Sequence, residues 1–379
     1  MTTITGLRCI RCERAIPFDS AAYLCPVCGE GDAHGDAGIL DVEYDYDRAR
    51  DVLAEGHDRV AGVFGFLPLL PVAALPDVLP AGATPLVRAP RLARRLGLAE
   101  LYLKDETRNP TRCLKDRSTS VGMAIALERG ARAVYCASAG NAAISLAGYA
   151  AHAGVECHVF VPHRVSDVRL DWLRRFGATI HVSEGNYDQA FAESEALGRA
   201  AGWYSRNCAY NPFLVEGKKT VALEIGAQLG GDVPDVVIAP VGDGCTLAAV
   251  GKGFRELRAL GRTSRLPALF GVQAEAVQPL VRRFRHEPDD PGGETRAASI
   301  SVRRPRNARR LLRELDAAGG ELLAVADEET EAAQRALAEE AGLVAEFTSA
   351  TPFAALVRRA GELRGRRVVL VITGGRADA

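Results

Sequence analysis

Two groups of residues in this 379-residue sequence have the types and spacing that chemistry requires. The first is Cys9-Ile-Arg-Cys12 and Cys25-Pro-Val-Cys28, two Cys-x-x-Cys pairs separated by twelve residues. Each pair places two thiolates on one tight knuckle, and two knuckles brought together give a tetrahedral sulfur site suited to zinc. Four sulfurs close the coordination shell, so such an ion is structural and stabilises a segment too short to fold alone. A ribbon that folds without metal is the alternative. The second group is Lys115, in Cys113-Leu-Lys-Asp-Arg117, together with three glycine-bearing turns: Ser138-Ala-Gly-Asn141, Gly242-Asp-Gly-Cys-Thr246 and Thr373-Gly-Gly375.

Each turn has a chemical reading beside a plain one. Amides of Ser138, Ala139 and Gly140 ahead of a helix attract a carboxylate or phosphate, and Gly140 permits close approach of the backbone. Gly242, Asp243, Gly244, Cys245 and Thr246 read as a cradle for a single phosphate group, with the Thr246 hydroxyl as an added donor. The segment lacks the Gly-Lys-Ser/Thr of a nucleotide loop and is too short for Gly-x-Gly-x-x-Gly, which disfavours a nucleotide. Lys115 falls at a helix start, where its charge opposes the helix dipole by ~0.3–1 kcal/mol. That position suits an amine held neutral, or as an imine, better than a solvated one. Taken singly, each turn is also an ordinary strand–helix connection and Lys115 a surface lysine. Their combination points to a site.

The elements that position these residues follow from periodicity. Short β-branched runs predict strands at Ala133–Ala137, Val155–Val161, Ala178–Val182, Val236–Val241, Ala268–Val272 and Arg367–Ile372. Longer stretches of helical period lie between them, such as Asp116–Arg129, Ala142–Ala153, Tyr187–Ala201 and Thr246–Leu260. Strands alternating with helices imply parallel sheets covered on both faces, with ligands at the carboxyl ends of the strands. The glycine-bearing turns fall at those ends. The acidic run Asp41–Asp47 reads as a linker or surface strand, and the proline-bearing run Val60–Pro76 as an extended, packed connection.

From Gly82 to Thr373 the sequence resembles the threonine synthase family of fold-type II pyridoxal-phosphate (PLP) enzymes. The resemblance rests on Lys104-Asp-Glu106, Asn109-Pro-Thr111, Lys115-Asp-Arg117, Ala137-Ser-Ala-Gly-Asn141, Asn211-Pro212, Glu216-Gly-Lys-Lys-Thr220, Pro240–Cys245, Gly271-Val-Gln-Ala-Glu275 and Thr373-Gly374, in the family's order and spacing. Some members also carry an N-terminal zinc ribbon. The resemblance implies a ribbon over 1–35, a large α/β domain from 50–105 and 206–379, a small α/β domain over 106–205, and a homodimer. It further implies that Lys115 holds pyridoxal 5′-phosphate as a Schiff base and then serves as general base, that Asn141 bonds the cofactor's 3′-oxygen, and that Gly242–Thr246 hold its phosphate. Thr373 would face the ring nitrogen, and Ser138, Ala139 and Gly140 would dock the substrate carboxylate. A hydroxyl at that nitrogen leaves it unprotonated, favouring elimination and replacement over transamination.

Four positions depart from the family pattern. Leu214 stands where an arginine is usual, Ala142 where a threonine is common, Arg112-Cys113 where Gly-Ser is usual, and Gly375-Arg-Ala-Asp378 replaces a C-terminal signature. Losing an arginine and a hydroxyl removes charge-assisted bonds of ~1.5–3 kcal/mol each. The expectation is therefore an elimination or replacement enzyme on an amino acid, with a more apolar side-chain pocket. The alternatives are a true threonine synthase, with Arg112 (or Arg108 or Arg206) holding the substrate phosphate, and a non-catalytic paralogue that binds PLP or an amino acid. Retained Lys115, Asn141 and Thr373 oppose the last.

Composition narrows the class. Apolar residues make up 47% and charged residues 25%, and 47 Lys and Arg against 48 Asp and Glu leave a net charge of −1. No global field favours nucleic acid or an anionic membrane. The Arg303–Arg310 stretch, without interleaved aromatics, reads as a solvated surface. The N-terminus lacks the basic and apolar regions of a signal peptide, so a cytoplasmic protein with reduced cysteines is expected. Cys113, Cys136, Cys157, Cys208 and Cys245 read mostly as small buried apolar residues.

Overall fold

The computed structural model describes residues 3–18, 23–29, 38–54, 61–163, 165, 167–288 and 292–375. Most of the departure at Gly375–Asp378 lies outside them. Each expected strand forms, with ends displaced by at most two residues, and each expected helix by at most one.

Six strands make the larger sheet, in the order Glu321–Val325, Ala268–Ala274, Val236–Pro240, Arg367–Ile372, Glu100–Asp105 and Leu86–Arg88. The first five run parallel and Leu86–Arg88 pairs antiparallel at the edge. The last strand of the chain is inserted at the centre, so Thr373 emerges beside the ends of Val236–Pro240 and Glu100–Asp105. Val236–Pro240 is buried at every position, as a parallel strand covered on both faces requires. The second sheet is wholly parallel, ordered Thr179–Ser183, Glu156–Pro162, Ala133–Ala137, Tyr204–Ser205.

Helices Lys115–Glu128 and Phe213–Gln228 are buried along most of their length. Two glycines set their separation. A Cβ at Gly217 would lie 2.0 Å from the Arg117 carbonyl oxygen, and one at Gly122 would lie 2.6 Å from Leu214 Cδ2. The helix that begins with Lys115 is thereby held against the helix that carries Lys218.

At the front, Ala15–Ile16, Ile4–Cys9 and Leu40–Tyr44 form an antiparallel sheet. The acidic run is thus neither linker nor surface strand: Leu40–Tyr44 alternates buried and half-buried residues. Its polar groups find partners in the α/β body. Tyr44 donates to Glu216 at 2.8 Å, and Lys252 Nζ reaches both Asp41 (2.9 Å) and the Val42 carbonyl (2.6 Å).

Two other expectations change for the same reason. Within Arg303–Arg310, Arg310 is 2% exposed and donates to the Leu40 carbonyl, while Arg306 pairs with Asp188 at 2.9 Å. Acceptors on neighbouring elements, the buried Leu40 carbonyl and the half-buried Asp188, draw these guanidiniums inward, and Arg303, Arg304 and Arg309 remain exposed. Within the proline-bearing run, Val63–Leu69 is packed but coils as a short 3₁₀ helix instead of extending. No helix among the described residues is long and apolar enough to cross a membrane.

Candidate active site

A cavity of about 300 Å³ opens between the two sheets at the carboxyl ends of their strands. Its lining brings together Lys115, Ser138, Ala139, Gly140, Asn141, all of Gly242–Thr246, and Thr373. Arg112 is not among the lining residues. It is exposed, in the left-handed region at φ 63°, and its guanidinium donates to the Gly375 carbonyl at 3.2 Å. Leu214 is also outside the lining: it is fully buried against Gly122. The arginine-to-leucine departure therefore does not make this cavity more apolar, whereas Ala142 does line it.

Lys115 is set by its flanks. The Leu114 amide donates to the Thr373 carbonyl at 2.8 Å, and Cys113 bridges Gly374, which stitches the loop to the central strand. On the other flank, both Asp116 carboxylate oxygens accept from Thr111, through its amide (2.6 Å) and its hydroxyl (2.5 Å). Arg117 is fully buried and bonds Glu106, Glu224, Thr84 and Thr220, and Lys104 joins Glu224 at 2.7 Å. The charged motifs Lys104-Asp-Glu106 and Asp116-Arg117 are scaffold: they lock the loop that presents Lys115. Burial, then the neighbouring Lys218 charge, lowers the Lys115 pKa from the ordinary lysine range.

The Gly242–Thr246 turn leads directly into a helix. Gly244 adopts φ 96° just before helix Cys245–Ala259, whose first turn carries no acid. Its first amides have no acceptor within the helix and favour an anion. Asp243 turns away, accepting from the Arg306 amide at 2.6 Å and from the Asn307 side chain, which ties the cradle to the 298–307 segment over the cavity. Across the cavity, Asn141 opens helix Asn141–Ala153, and Ser138 Oγ accepts from the Gly140 amide at 3.1 Å. A Cβ at Gly140 would meet no protein atom within 4 Å, so the open space there is available to a ligand.

Two lining residues, Glu346 and Lys218, have roles that the sequence left unassigned, and a third, Arg206, stood there only as an alternative holder of the substrate phosphate. Glu346 accepts from Asn141 Nδ2 at 2.9 Å with both carboxylate oxygens, and Ser349 Oγ connects it (3.4 Å) to the Thr373 hydroxyl (2.9 Å). It sits where a Cβ on Gly374 would be 2.7 Å away, so that glycine is needed for the approach. Glu346 follows no glycine turn, and its one sequence signal is an acid directly before a helix. Lys218 is 1% exposed and Arg206 is 4% exposed. Neither has a carboxylate within ion-pairing distance among the described residues. Lys218 donates to Cys245 and Cys208, and Arg206 donates to Cys208, Ser118, Thr119 and the Lys115 carbonyl. Lys218 stands inside Glu216-Gly-Lys-Lys-Thr220, a motif noticed without a role for each member.

These residues fit pyridoxal phosphate. An amine of depressed pKa, a helix N-terminus beside an uncompensated buried ammonium, and a neutral hydroxyl at the opposite wall match its aldehyde, phosphate and ring nitrogen. The ribbon cysteines fit a zinc ion. Their sulfurs all lie within 4.8 Å of one another, with Cys12 and Cys25 at 3.7 Å. A tetrahedron of ~2.3 Å Zn–S bonds has edges of about 3.8 Å. Gly38 closes the second knuckle, where a Cβ would lie 2.6 Å from Cys28 Cβ.

Known proteins agree with this geometry. Residues 79–374 match the family model described as pyridoxal-phosphate dependent enzyme. A threonine synthase of Methanocaldococcus jannaschii is 37% identical over 97% of this chain and 91% of its own length. One of Mycobacterium leprae is 36% identical over 79% and 82%. Among solved structures, a threonine deaminase of T.th. superposes with a TM-score of 0.66 at 27% identity, covering 78% of this chain and 93% of that one. A PLP-dependent aspartate racemase shares the fold, with a TM-score of 0.69 at 21% identity, covering 88% and 94%. An amine at the meeting point of two sheets, at the carboxyl ends of their parallel strands, thus has its place among known enzymes: the chain belongs to the pyridoxal-phosphate-dependent enzymes of fold type II, in the group related to threonine synthases and threonine deaminases.

Proposed function

We propose that this enzyme carries out PLP-dependent replacement on an amino acid with an anionic leaving group, the threonine synthase reaction of O-phosphohomoserine with water. The carrying observation is the charge of the cavity: Lys115, Arg206 and Lys218 face it, the last two with no carboxylate partner among the described residues. Buried cations are expected to be paired. The cofactor phosphate answers Lys218, and a further anion on the substrate answers the remainder. Leu214, whose position suggested an apolar pocket, packs elsewhere.

When bound, pyridoxal phosphate supplies the electron sink for negative charge developing beside the substrate's α-carbon. The chain supplies the rest. The first turn of Cys245–Ala259, with Lys218, holds the phosphate. Lys115 Nζ, whose pKa is lowered by burial and then by Lys218, carries the cofactor and then takes the α-proton. Ser138 and the amides around Ala139 and Gly140 receive the substrate carboxylate. Asn141, oriented by Glu346, holds the cofactor's ring oxygen. Thr373 presents a hydroxyl to the ring nitrogen, and the two sheets act as large and small domains around the substrate. Cys9, Cys12, Cys25 and Cys28 hold a structural zinc.

Purified enzyme given O-phosphohomoserine should release phosphate and threonine in equal amounts. Conversion of threonine to a keto acid and ammonia, with the phosphorylated substrate untouched, would move the assignment to the deaminase side. Metal analysis of the same sample should return one zinc per chain.

A further inference from the structure

Cys208 and Cys245 do not behave as the inert core residues their scatter suggests. Cys208 follows strand Tyr204–Ser205, and Cys245 is the first residue of the helix that opens the phosphate cradle. Both line the cavity. Both sulfurs sit on one ammonium: Lys218 Nζ is 2.7 Å from Cys245 Sγ and 3.3 Å from Cys208 Sγ. Arg206 Nη1 adds a second cation to Cys208 at 3.1 Å. A hydrogen bond from Cys245, with Arg206, Lys218 and Lys115 outweighing burial, holds the Cys208 thiol well below its ordinary range. The same hydrogen bond, aided by burial, pushes the Cys245 thiol well above it. Two sulfurs on one ammonium, with the Cys208 thiol shifted down and the Cys245 thiol shifted up, have the division of labour of an attacking and a resolving cysteine. Cys136 is a counter-example on the adjoining strand: burial outweighs the opposing Arg206 charge and pushes its thiol up to about 12.

We propose that Cys208 and Cys245 form a reversible disulfide across the phosphate cradle of the cofactor-free enzyme, a modification site for peroxides. The Cys208 thiolate attacks one peroxide oxygen. The O–O bond breaks, Cys208 becomes a sulfenic acid, and the departing oxide takes a proton and leaves as water. Cys245 sulfur then attacks the sulfenic sulfur, the S–O bond breaks, and hydroxide leaves with the Cys245 proton as a second water. Two thiols lose two electrons and the peroxide gains them.

The consequence rests on the proposed placement of the cofactor phosphate. A bond between the sulfurs pins the first residue of the cradle helix to the opposite wall and withdraws the contacts that orient Lys218. A seated phosphate, by contrast, takes Lys218 for itself and covers both sulfurs. Oxidation and cofactor loading therefore exclude one another.

The test uses zinc-replete full-length protein, with and without pyridoxal phosphate, exposed to hydrogen peroxide, alkylated and digested with trypsin without reduction. The expected product is Asn207–Lys218 linked to Thr220–Lys252, lighter by two hydrogens and released by dithiothreitol. Oxidised protein should fail to take up cofactor until reduced, while Cys208→Ser keeps its uptake after peroxide. Because only the empty form reacts, cofactor at 100 times its dissociation constant should slow linkage about 100-fold. Protein that binds cofactor before treatment but yields no linked peptide when its cofactor-free form meets peroxide, or linkage at equal rates with and without cofactor, overturns the inference. A linked peptide in protein that never binds cofactor leaves the disulfide standing and removes the cofactor reading instead.

Discussion

Two buried charged clusters flank the start of helix Lys115–Glu128, and they are built on opposite principles. On one side Lys104 and Arg117 meet Glu106 and Glu224, two cations against two anions, with each charge in contact with its opposite. On the other side Lys115, Arg206 and Lys218 are collected around two cysteines, with no carboxylate partner for the latter two. The first cluster is complete without a ligand and the second is not. Buried charge that balances itself marks scaffold, and buried charge left over marks the place where an anion binds. A third cluster, Asp41, Glu216 and Glu256 with Lys219, Lys252 and Arg313, follows the first pattern and fastens the ribbon to the body.

Substitutions should separate the two. In the cation-rich cluster, Lys115→Ala should lower turnover by at least ~10³-fold, since it removes the positioned base as well as the cofactor's attachment. Its unfolding curve should stay close to wild type. In the balanced cluster the effects should reverse. Arg117→Ala leaves Glu106 and Glu224 facing one another with Lys104 alone, and breaking such a pair costs about 3–5 kcal/mol. Denaturant unfolding should show that loss before any assay does. A stable Arg117→Ala protein would end the distinction between scaffold and site. Acid should act on the same side. Burial alone would raise the Glu224 carboxyl, but Arg117 and Lys104 bring it down to about 2. A depressed carboxylate contributes stability that is present above its unfolded value of 4.5 and is lost as pH falls toward 2. That window should cost ~3 kcal/mol, read as a falling denaturant midpoint.

Much of this was legible in the sequence. The parallel sheets were, because strands buried on both faces write continuous β-branched runs such as Val236–Pro240. Lys115, the Ser138–Asn141 turn and the Gly242–Thr246 cradle were, because each sits at a strand end or a helix start and carries a glycine or charge that the backbone there must explain. Leu86–Arg88 and Tyr204–Ser205 were not, being too short for any period to register. Glu346 and Lys218 were missed, and Arg206 could not be separated from Arg112 and Arg108, for another reason: their significance is a property of what surrounds them. Lys218 and Lys219 are adjacent and identical in type, yet Lys219 faces Glu216 and Glu256 while Lys218 faces two sulfurs and the cavity. Only the fold distinguishes an ammonium that is already paired from one that is not. The two arginine positions make the same point in reverse. Arg112 lies near Lys115 in sequence but bonds Gly375, whereas Arg206, far off in sequence, donates to the Lys115 carbonyl.

The adjacent lysines supply the finest test. Lys219→Met strands Glu256 and leaves Glu216 with Lys252 alone, so it belongs with Arg117→Ala among the destabilised variants. Lys218→Met removes a buried charge that no carboxylate balances, so the cofactor-free protein should hold its stability or gain slightly. The cost should appear only when the phosphate arrives: a charge-assisted bond is worth about 1.5–3 kcal/mol, which weakens cofactor binding by roughly 10- to 100-fold. Cofactor titration of both variants, followed by visible absorbance beside their thermal melts, places the two effects on one graph. If Lys218→Met melts early and binds normally, Lys218 is scaffold like its neighbour, and the cavity's surplus charge loses its most buried member.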